Sequence, residues 1–271
     1  MPVALRRGFT LPDLLVGLLL LSLVATLAVR MTLMYGRVLR GQRERAGLQS
    51  AFTAGFSLLA AELGDIAPGD LSLVSPDLMQ YRALRASGLA CSLHGTEVLV
   101  LLERFASTRL PQAGRDSLLV YFGGSRSASS VDEWLPAPVA GVTRTTCDGR
   151  PALRLTTALD STRLRDGAPP ALVPIRTFEV MQARLYSSLG AWWLGVRSVS
   201  AGETFQPVAG PFEGAGSQFQ YFDSAGAGTM VPVAVRAISI TLSGRAAGWN
   251  GVPAALQDSA QLVLHPVNLW P

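Results

Sequence analysis

The chain offers few side chains with which to do chemistry at a reacting centre. Its two histidines, His94 and His265, are far apart in sequence, and no G-x-S-x-G elbow, P-loop, H-E-x-x-H or EF-hand loop occurs. The adjacent acids Asp132 and Glu133 precede Trp134, but neighbours in a loop both face water and make a poor acid–base pair. Cys91 and Cys147 lack C-x-x-C spacing, which argues against zinc. They fit one disulfide of an exported domain, or two unpaired small hydrophobes. No catalytic, cofactor-binding or metal-ligating residue is predicted, so the chain reads as a protein without enzymatic activity. The charged residue that most needs an explanation is Asp13, a carboxylate at the edge of a long apolar run.

That run, Leu14 to Val29, is sixteen residues without a charge, and Phe9 to Val29 spans twenty-one. About 20 helical residues cross a bilayer core. Arg6 and Arg7 precede it, so the positive-inside rule leaves the N-terminus cytoplasmic and the rest outside. Three readings compete: a secretory signal cut after the run, an uncleaved anchor, and a short leader cut before the run. The first wants small residues beyond the core, and Thr26-Leu27-Ala28 substitutes poorly. The second gives no reason for Asp13.

The residues Arg6-Arg7-Gly8-Phe9-Thr10-Leu11-Pro12-Asp13-Leu14-Leu15-Val16 resemble the prepilin processing motif of type IV pilin-like proteins. The resemblance implies cleavage between Gly8 and Phe9 by a prepilin peptidase, N-methylation of Phe9, and assembly into a filament. Gly8 leaves the backbone unhindered at the cut, and Pro12 is tolerated in a first helical turn. The new amine of Phe9 lies four residues before Asp13, whose carboxylate can neutralise the amine of a neighbouring subunit in a low-dielectric bundle. Two features depart from the family. Glutamate usually stands where this chain has Asp13, and a kinking proline found in some members is absent near Arg30, leaving Gly36 and Gly41 as softer positions.

Behind the apolar run the helical pattern continues and turns polar, with Arg37, Arg40, Arg43 and Arg45 beside Glu44. Arg40 and Glu44 form an i,i+4 pair on a solvated face near lipid headgroups. Leu48, Phe52, Phe56, Leu59 and Leu63 then recur as one apolar stripe for packing on a sheet, and Gly64 and Pro68 end the helix. Strand candidates follow at Glu97–Phe105, Ser117–Phe122, Val139–Cys147, Ala152–Thr156, Ile175–Tyr186, Trp192–Val199, Phe219–Phe222, Val235–Leu242 and Gln261–Leu264. Gly123-Gly124-Ser125 and Gly214-Ala215-Gly216 read as loops. The prediction is an α+β pilin fold: leader 1–8, transmembrane half-helix 9–30, amphipathic half-helix 31–63, and a β-rich head 64–271 with a mainly antiparallel sheet.

The length, 271 residues, suits one core plus an appendage. All 23 basic residues are arginine, which reads as coding bias, and the formal charge of +4 includes Arg6 and Arg7 of the leader. Arg82, Arg85, Arg163 and Arg165 lack the aromatic interleaving of a nucleic-acid site. Trp192 and Trp193 in one strand should point to opposite faces, as a core and an edge residue or as an anchor for a neighbouring subunit. Phe219-Gln220-Tyr221-Phe222-Asp223-Ser224-Ala225-Gly226, followed by Val235-Arg236-Ala237-Ile238-Ser239-Ile240-Thr241-Leu242, is similar to late strands of large minor pilins of the PilW type and minor pseudopilins of the GspJ type. That resemblance implies initiation or capping of a type IV pilus or type II secretion pseudopilus. The implied partners are prepilin peptidase, other minor and major pilins or pseudopilins, and membrane lipid, without a cofactor. A DNA-binding or adhesive pilin, and an anchored exported protein, are the alternatives; nucleic acid is the less favoured partner.

Overall fold

The computed structural model describes residues 11–122, 133–159, 172–247 and 253–263. Helix α1 runs unbroken over Leu11–Leu63, as a stretch rich in Leu, Ala and Arg without interior proline favours. Gly64 N–H closes the last turn on the Ala60 carbonyl at 2.9 Å. Among the described residues eleven strands follow: β1 Leu71–Val74, β2 Leu78–His94, β3 Glu97–Ser107, β4 Ser117–Phe122, β5 Glu133–Cys147, β6 Arg150–Thr157, β7 Val173–Ser188, β8 Ala191–Ser198, β9 Gln206–Phe222, β10 Ala237–Ala247 and β11 Pro253–Val263. The fold is α+β, and the described pairings from β1 to β10 are antiparallel. The chain forms two compact units: α1 as far as Ser50 belongs to the first, and Ala51–Leu63 with the strands as far as Gly244 to the second.

Within the second unit, β2 and β7 are each long enough to change neighbours. They pair with each other from Leu78↔Arg184 to Ala90↔Val173. The first part of β2 borders β1, the later part borders β3. Likewise β7 borders β4 up to Phe178 and β8 from Met181 onward. Two structures therefore share these strands. The ring β2-β3-β6-β5-β4-β7 closes on itself as a six-stranded barrel, while β1 and β8 to β11 extend the open sheet from the other halves of the same two strands. Closure removes the free edges that an extended insertion would expose.

Val98, Val100, Leu118, Val120, Leu153 and Ile175 belong to the buried apolar cluster of the barrel. Each such side chain, fully buried, contributes about 1.5–3 kcal/mol. The open sheet carries the end of α1. Phe52 stacks on Phe212 of β9 with ring centroids 5.8 Å apart, and Phe52, Leu59 and Leu63 are buried. Gly55 lies between them, where an added Cβ would sit 3.2 Å from Leu242 Cδ1 and 3.3 Å from Leu194 Cδ2. Of the predicted stripe, Phe56 is only half-buried, and Gly55 takes the place against the sheet, where a side chain would press on Leu242 and Leu194.

Three differences from the sequence reading have physical causes. Strands β1 and β2 were absent from it, because Met79-Gln80-Tyr81-Arg82-Ala83-Leu84-Arg85-Ala86 is dominated by helix formers, whose preference long-range pairing overrides. Gly214-Ala215-Gly216 is not a loop but part of β9. Gly214 makes room for an indole, since a Cβ there would meet Trp192 Cε2 at 2.2 Å. In β10 the alternation holds only in part: Ile238, Ile240 and Leu242 are buried, but so are Thr241 and Ser243.

Replacing Gly55 by Leu is expected to cost about 1–3 kcal/mol, because the added atoms must displace two packed leucines. A lower midpoint of thermal unfolding checks it; an unchanged midpoint would mean that the end of α1 does not pack on β8, β9 and β10 as described.

Candidate functional site

The first candidate is the surface of α1 in the first unit. From Leu11 to Tyr35 its large apolar side chains are exposed, and this segment is long and apolar enough to span a membrane or serve as a signal. Its serine and threonine hydroxyls are satisfied internally: Ser22 Oγ donates to the Leu19 carbonyl at 2.8 Å, Thr26 Oγ1 to Ser22 at 2.7 Å and Thr32 Oγ1 to Ala28 at 2.9 Å. A helix in an apolar medium needs this, since nothing outside can accept those hydrogen bonds. Asp13 lies in the first turn, where a negative charge meets the positive end of the helix dipole. The sequence-predicted Gly8 and Phe9 lie outside the described residues.

The second candidate is a cluster of charges where barrel and open sheet part. Glu179 sits between Phe178, the last β7 residue paired with β4, and Met181, the first paired with β8. Its side chain is 1% exposed and takes three guanidiniums. Arg85 Nε donates to Oε2 at 3.0 Å, Arg109 Nη2 to the same oxygen at 3.0 Å, and Arg115 Nε to Oε1. Arg85 belongs to the irregular step of β2 between Leu84 and Ala86. Arg109 and Arg115 come from the β3–β4 connection.

Each arginine holds a second carboxylate. Arg85 Nη1 donates to Glu62 of α1 at 3.1 Å, and Arg115 Nη1 to Glu203 at 2.9 Å. Arg109 grips the buried Asp116 with both terminal nitrogens, at 2.6 and 2.7 Å. Such two-pronged guanidinium–carboxylate bonds are the strong kind. Burial opposes the charge on Glu179, but bonds from Ser198, Arg85 and Arg109 outweigh it and hold its pKa below the usual carboxylate value. Burial also disfavours the Arg85 charge, yet Glu62 and Glu179 raise its pKa overall. Glu179 and Arg85 are thus held in their charged forms, which suits a brace rather than proton transfer.

Of the two alternatives for the tryptophan pair, the core-and-edge one is not met, since neither ring is buried. Trp192 is 37% exposed and lies over Gly214, while Trp193 lies over Gly210, where a Cβ would meet its Cε3 at 2.8 Å. The glycines of β9 let both rings lie on the strand backbone instead of filling an interior layer. Arg82 and Arg85 are each engaged elsewhere and do not make a basic patch. Arg85 is in the charge cluster, Arg82 lies 5.3 Å from the Phe178 ring centroid and 3.9 Å from Asp70, and Arg163 and Arg165 are outside the described residues. Of the acidic pair, Asp132 is outside them too, and Glu133 opens β5 opposite Phe122.

Cys91 and Cys147 are joined by a disulfide, with Cα atoms 6.7 Å apart, beside Leu99, Leu101 and Ala152. The bond links β2 to the end of β5 and so ties two barrel strands that are not neighbours. The turn after β9 is built by Asp223, whose Oδ1 accepts the N–H groups of Ala225 and Ala227, both at 2.9 Å. Gly226 there has φ +77°, a conformation glycine adopts at little cost.

The chain matches no protein-family model, no curated protein and no solved structure. Its architecture is pilin-like: a long apolar N-terminal helix whose final turns pack on an antiparallel sheet. The charge cluster was missed in the sequence. The available signal was Glu179 itself, one carboxylate beside Phe178, Val180 and Met181 in a strand predicted over Ile175–Tyr186.

Replacing Glu179 by Ala leaves three arginines without their shared carboxylate and is expected to cost about 3–5 kcal/mol, read from the denaturant midpoint. The folded pKa lies below the ordinary 4.5. The contribution of Glu179 is therefore complete above that value and is lost as pH falls through the folded pKa. Stability of the native chain should drop more steeply below pH 4.5 than that of Glu179→Gln; parallel acid curves would show that the group does not stay ionised.

Proposed function

We propose that this chain is a minor subunit of a type IV pilus or of a type II secretion pseudopilus, made as a prepilin and cut between Gly8 and Phe9. The observation that carries the reading is the single helix Leu11–Leu63, with an exposed apolar first half, Asp13 in its opening turn, and Ala51–Leu63 packed on an antiparallel sheet. An enzyme on a plain anchor has no use for a carboxylate at the start of its span. A subunit that packs its helix among others in a filament has one.

On this reading residues 1–8 are a leader removed by prepilin peptidase, which also methylates Phe9. Residues 9–30 hold the precursor in the inner membrane, residues 31–63 carry the helix into the head, and residues 64–271 are the head on the far side. The disulfide Cys91–Cys147 supports an oxidising compartment for it. Asp13 pairs with the Phe9 amine of a neighbouring subunit. Away from water an unpaired charge is costly, so this pairing sets the axial register of the helices. The Asp223 turn and the strand after it support the larger minor subunits, of PilW or GspJ type, which begin or cap a filament with other pilins or pseudopilins. The protein acts by assembly, without a catalytic step, and Trp192 offers an exposed ring for a subunit contact.

In a host with an active prepilin peptidase, Gly8→Val is expected to keep the precursor mass while the native chain begins at methylated Phe9. Asp13→Ala should be cut normally yet be recovered in sheared filaments at least tenfold less than the native chain. Mass spectrometry of the N-terminus and quantitative blotting read these outcomes. A mature native chain that starts at Met1, or beyond the apolar helix, would falsify the reading.

A further inference from the structure

A groove of about 940 Å³ crosses the barrel, lined by residues of five adjacent strands, β3, β2, β7, β4 and β5. Small-ligand sites have such volumes, and they join apolar walls to a few converging polar groups. Phe105, Tyr121 and Trp134 supply rings, and Arg104 and Arg176 supply charge. Tyr121 and Trp134 lie against each other with centroids 5.3 Å apart, and the Arg176 guanidinium lies 4.9 Å from the Trp134 ring centroid.

What these two arginines share is a place in one groove with no anion paired to them among the described residues. Arg85, Arg109, Arg115, Arg150 and Arg184 each pair with a carboxylate. Among the described residues, neither Arg104 nor Arg176 has an ion-paired or hydrogen-bonded carboxylate. The acid of the groove, Glu103, is engaged by Arg150 at 3.1 Å. Burial disfavours the charge on Arg176 and lowers its pKa, with only the more distant pull of Asp70 and Asp65 opposing. A half-buried guanidinium without a counter-ion is a site with unspent affinity for one.

The surroundings narrow the class of anion. An extended peptide needs free backbone donors and acceptors, but in the floor Ser87 and Gly88 of β2 and Ile175 and Arg176 of β7 are paired on both sides. A nucleic acid needs a track of cations, and here two arginines stand beside an acid. A carboxylate on a ring with an apolar face satisfies both the guanidiniums and the aromatic walls. We propose that this groove binds an acidic oligosaccharide, its carboxylates held by Arg104 and Arg176 and its sugar rings lying against Phe105 and Tyr121. The proposal does not depend on the filament reading.

The test measures binding of α-1,4-linked tetragalacturonate to the full chain in detergent micelles by calorimetry. The methyl ester of the same tetramer, tetraglutamate and a short oligothymidylate serve as comparison ligands. Tetragalacturonate is expected to bind, with the methyl ester at least tenfold weaker. Arg104→Gln and Arg176→Gln should each weaken the acid form about tenfold, the loss from one charged hydrogen bond. The Arg104 side chain is exposed and, among the described residues, makes no hydrogen bond or ion pair, so its substitution leaves the fold intact even where Arg176→Gln does not. No binding at millimolar tetragalacturonate, equal binding of the ester, or an unchanged affinity in Arg104→Gln overturns the proposal. Tighter binding of tetraglutamate or of the oligonucleotide overturns it as well, in favour of an acidic peptide or a nucleic acid.

Discussion

A β-strand cannot keep the same neighbour along its whole length when it serves both a closed barrel and an open sheet. In this protein β2 and β7 face that constraint together, and they change partners at the same level, near Arg85 and Glu179. Where β4 has ended and β8 has not begun, one edge of β7 has no strand beside it. The β8–β9 turn fills the gap, Val199 N–H donating to the Val180 carbonyl at 2.8 Å and Ser200 Oγ accepting the Val180 N–H at 3.0 Å. The side chain of Glu179 does the same for its surroundings, drawing in one arginine from β2 and two from the β3–β4 connection.

The cluster is better understood as a device of specificity than of net stability. Charges removed from water lose more hydration than their partners return unless every lone pair is met, and a well-packed apolar substitute is often no less stable. What an apolar substitute cannot do is choose. Three guanidiniums with fixed planar forks accept one arrangement of Glu62, Asp116, Glu179 and Glu203. Elements from α1 to the β8–β9 turn must therefore meet at one point. A slip of β7 against β2 by one residue would aim Glu179 at the opposite face and leave all three cations stranded.

These relations explain which parts were legible in the chain. Local periodicity is sufficient for α1, which keeps one apolar stripe to Leu63, and for β4 or β7, where branched and aromatic residues dominate. It is insufficient for β2, whose alanines, leucines and arginines prefer helix and become a strand only because β3 and β7 hold both its edges. It misleads in β9, where glycines that seat Trp192 and Trp193 resemble a loop. Beyond Glu179 the charge cluster was not legible, because its members are scattered from Glu62 to Glu203, and an all-arginine composition makes any one arginine look incidental. The apolar helix and Asp13 were legible, since the run is made of consecutive residues and the carboxylate stands at its edge.

The barrel strands β3 to β6 form one continuous interval of the chain, Glu97 to Thr157, held between β2 and β7. The strands that receive the end of α1 all come later: Leu194 of β8, Ala209 of β9 and Leu242 of β10 surround Gly55. None of those three strands lines the groove, which draws on β3, β2, β7, β4 and β5. The helix-bearing sheet and the grooved barrel thus use different strands, joined through β2 and β7 and braced at Glu179. An interval inserted between two strands that already pair adds a surface without altering the packing of the helix. Its cost is the mismatch where the shared strands must part, and that is where the buried charges are.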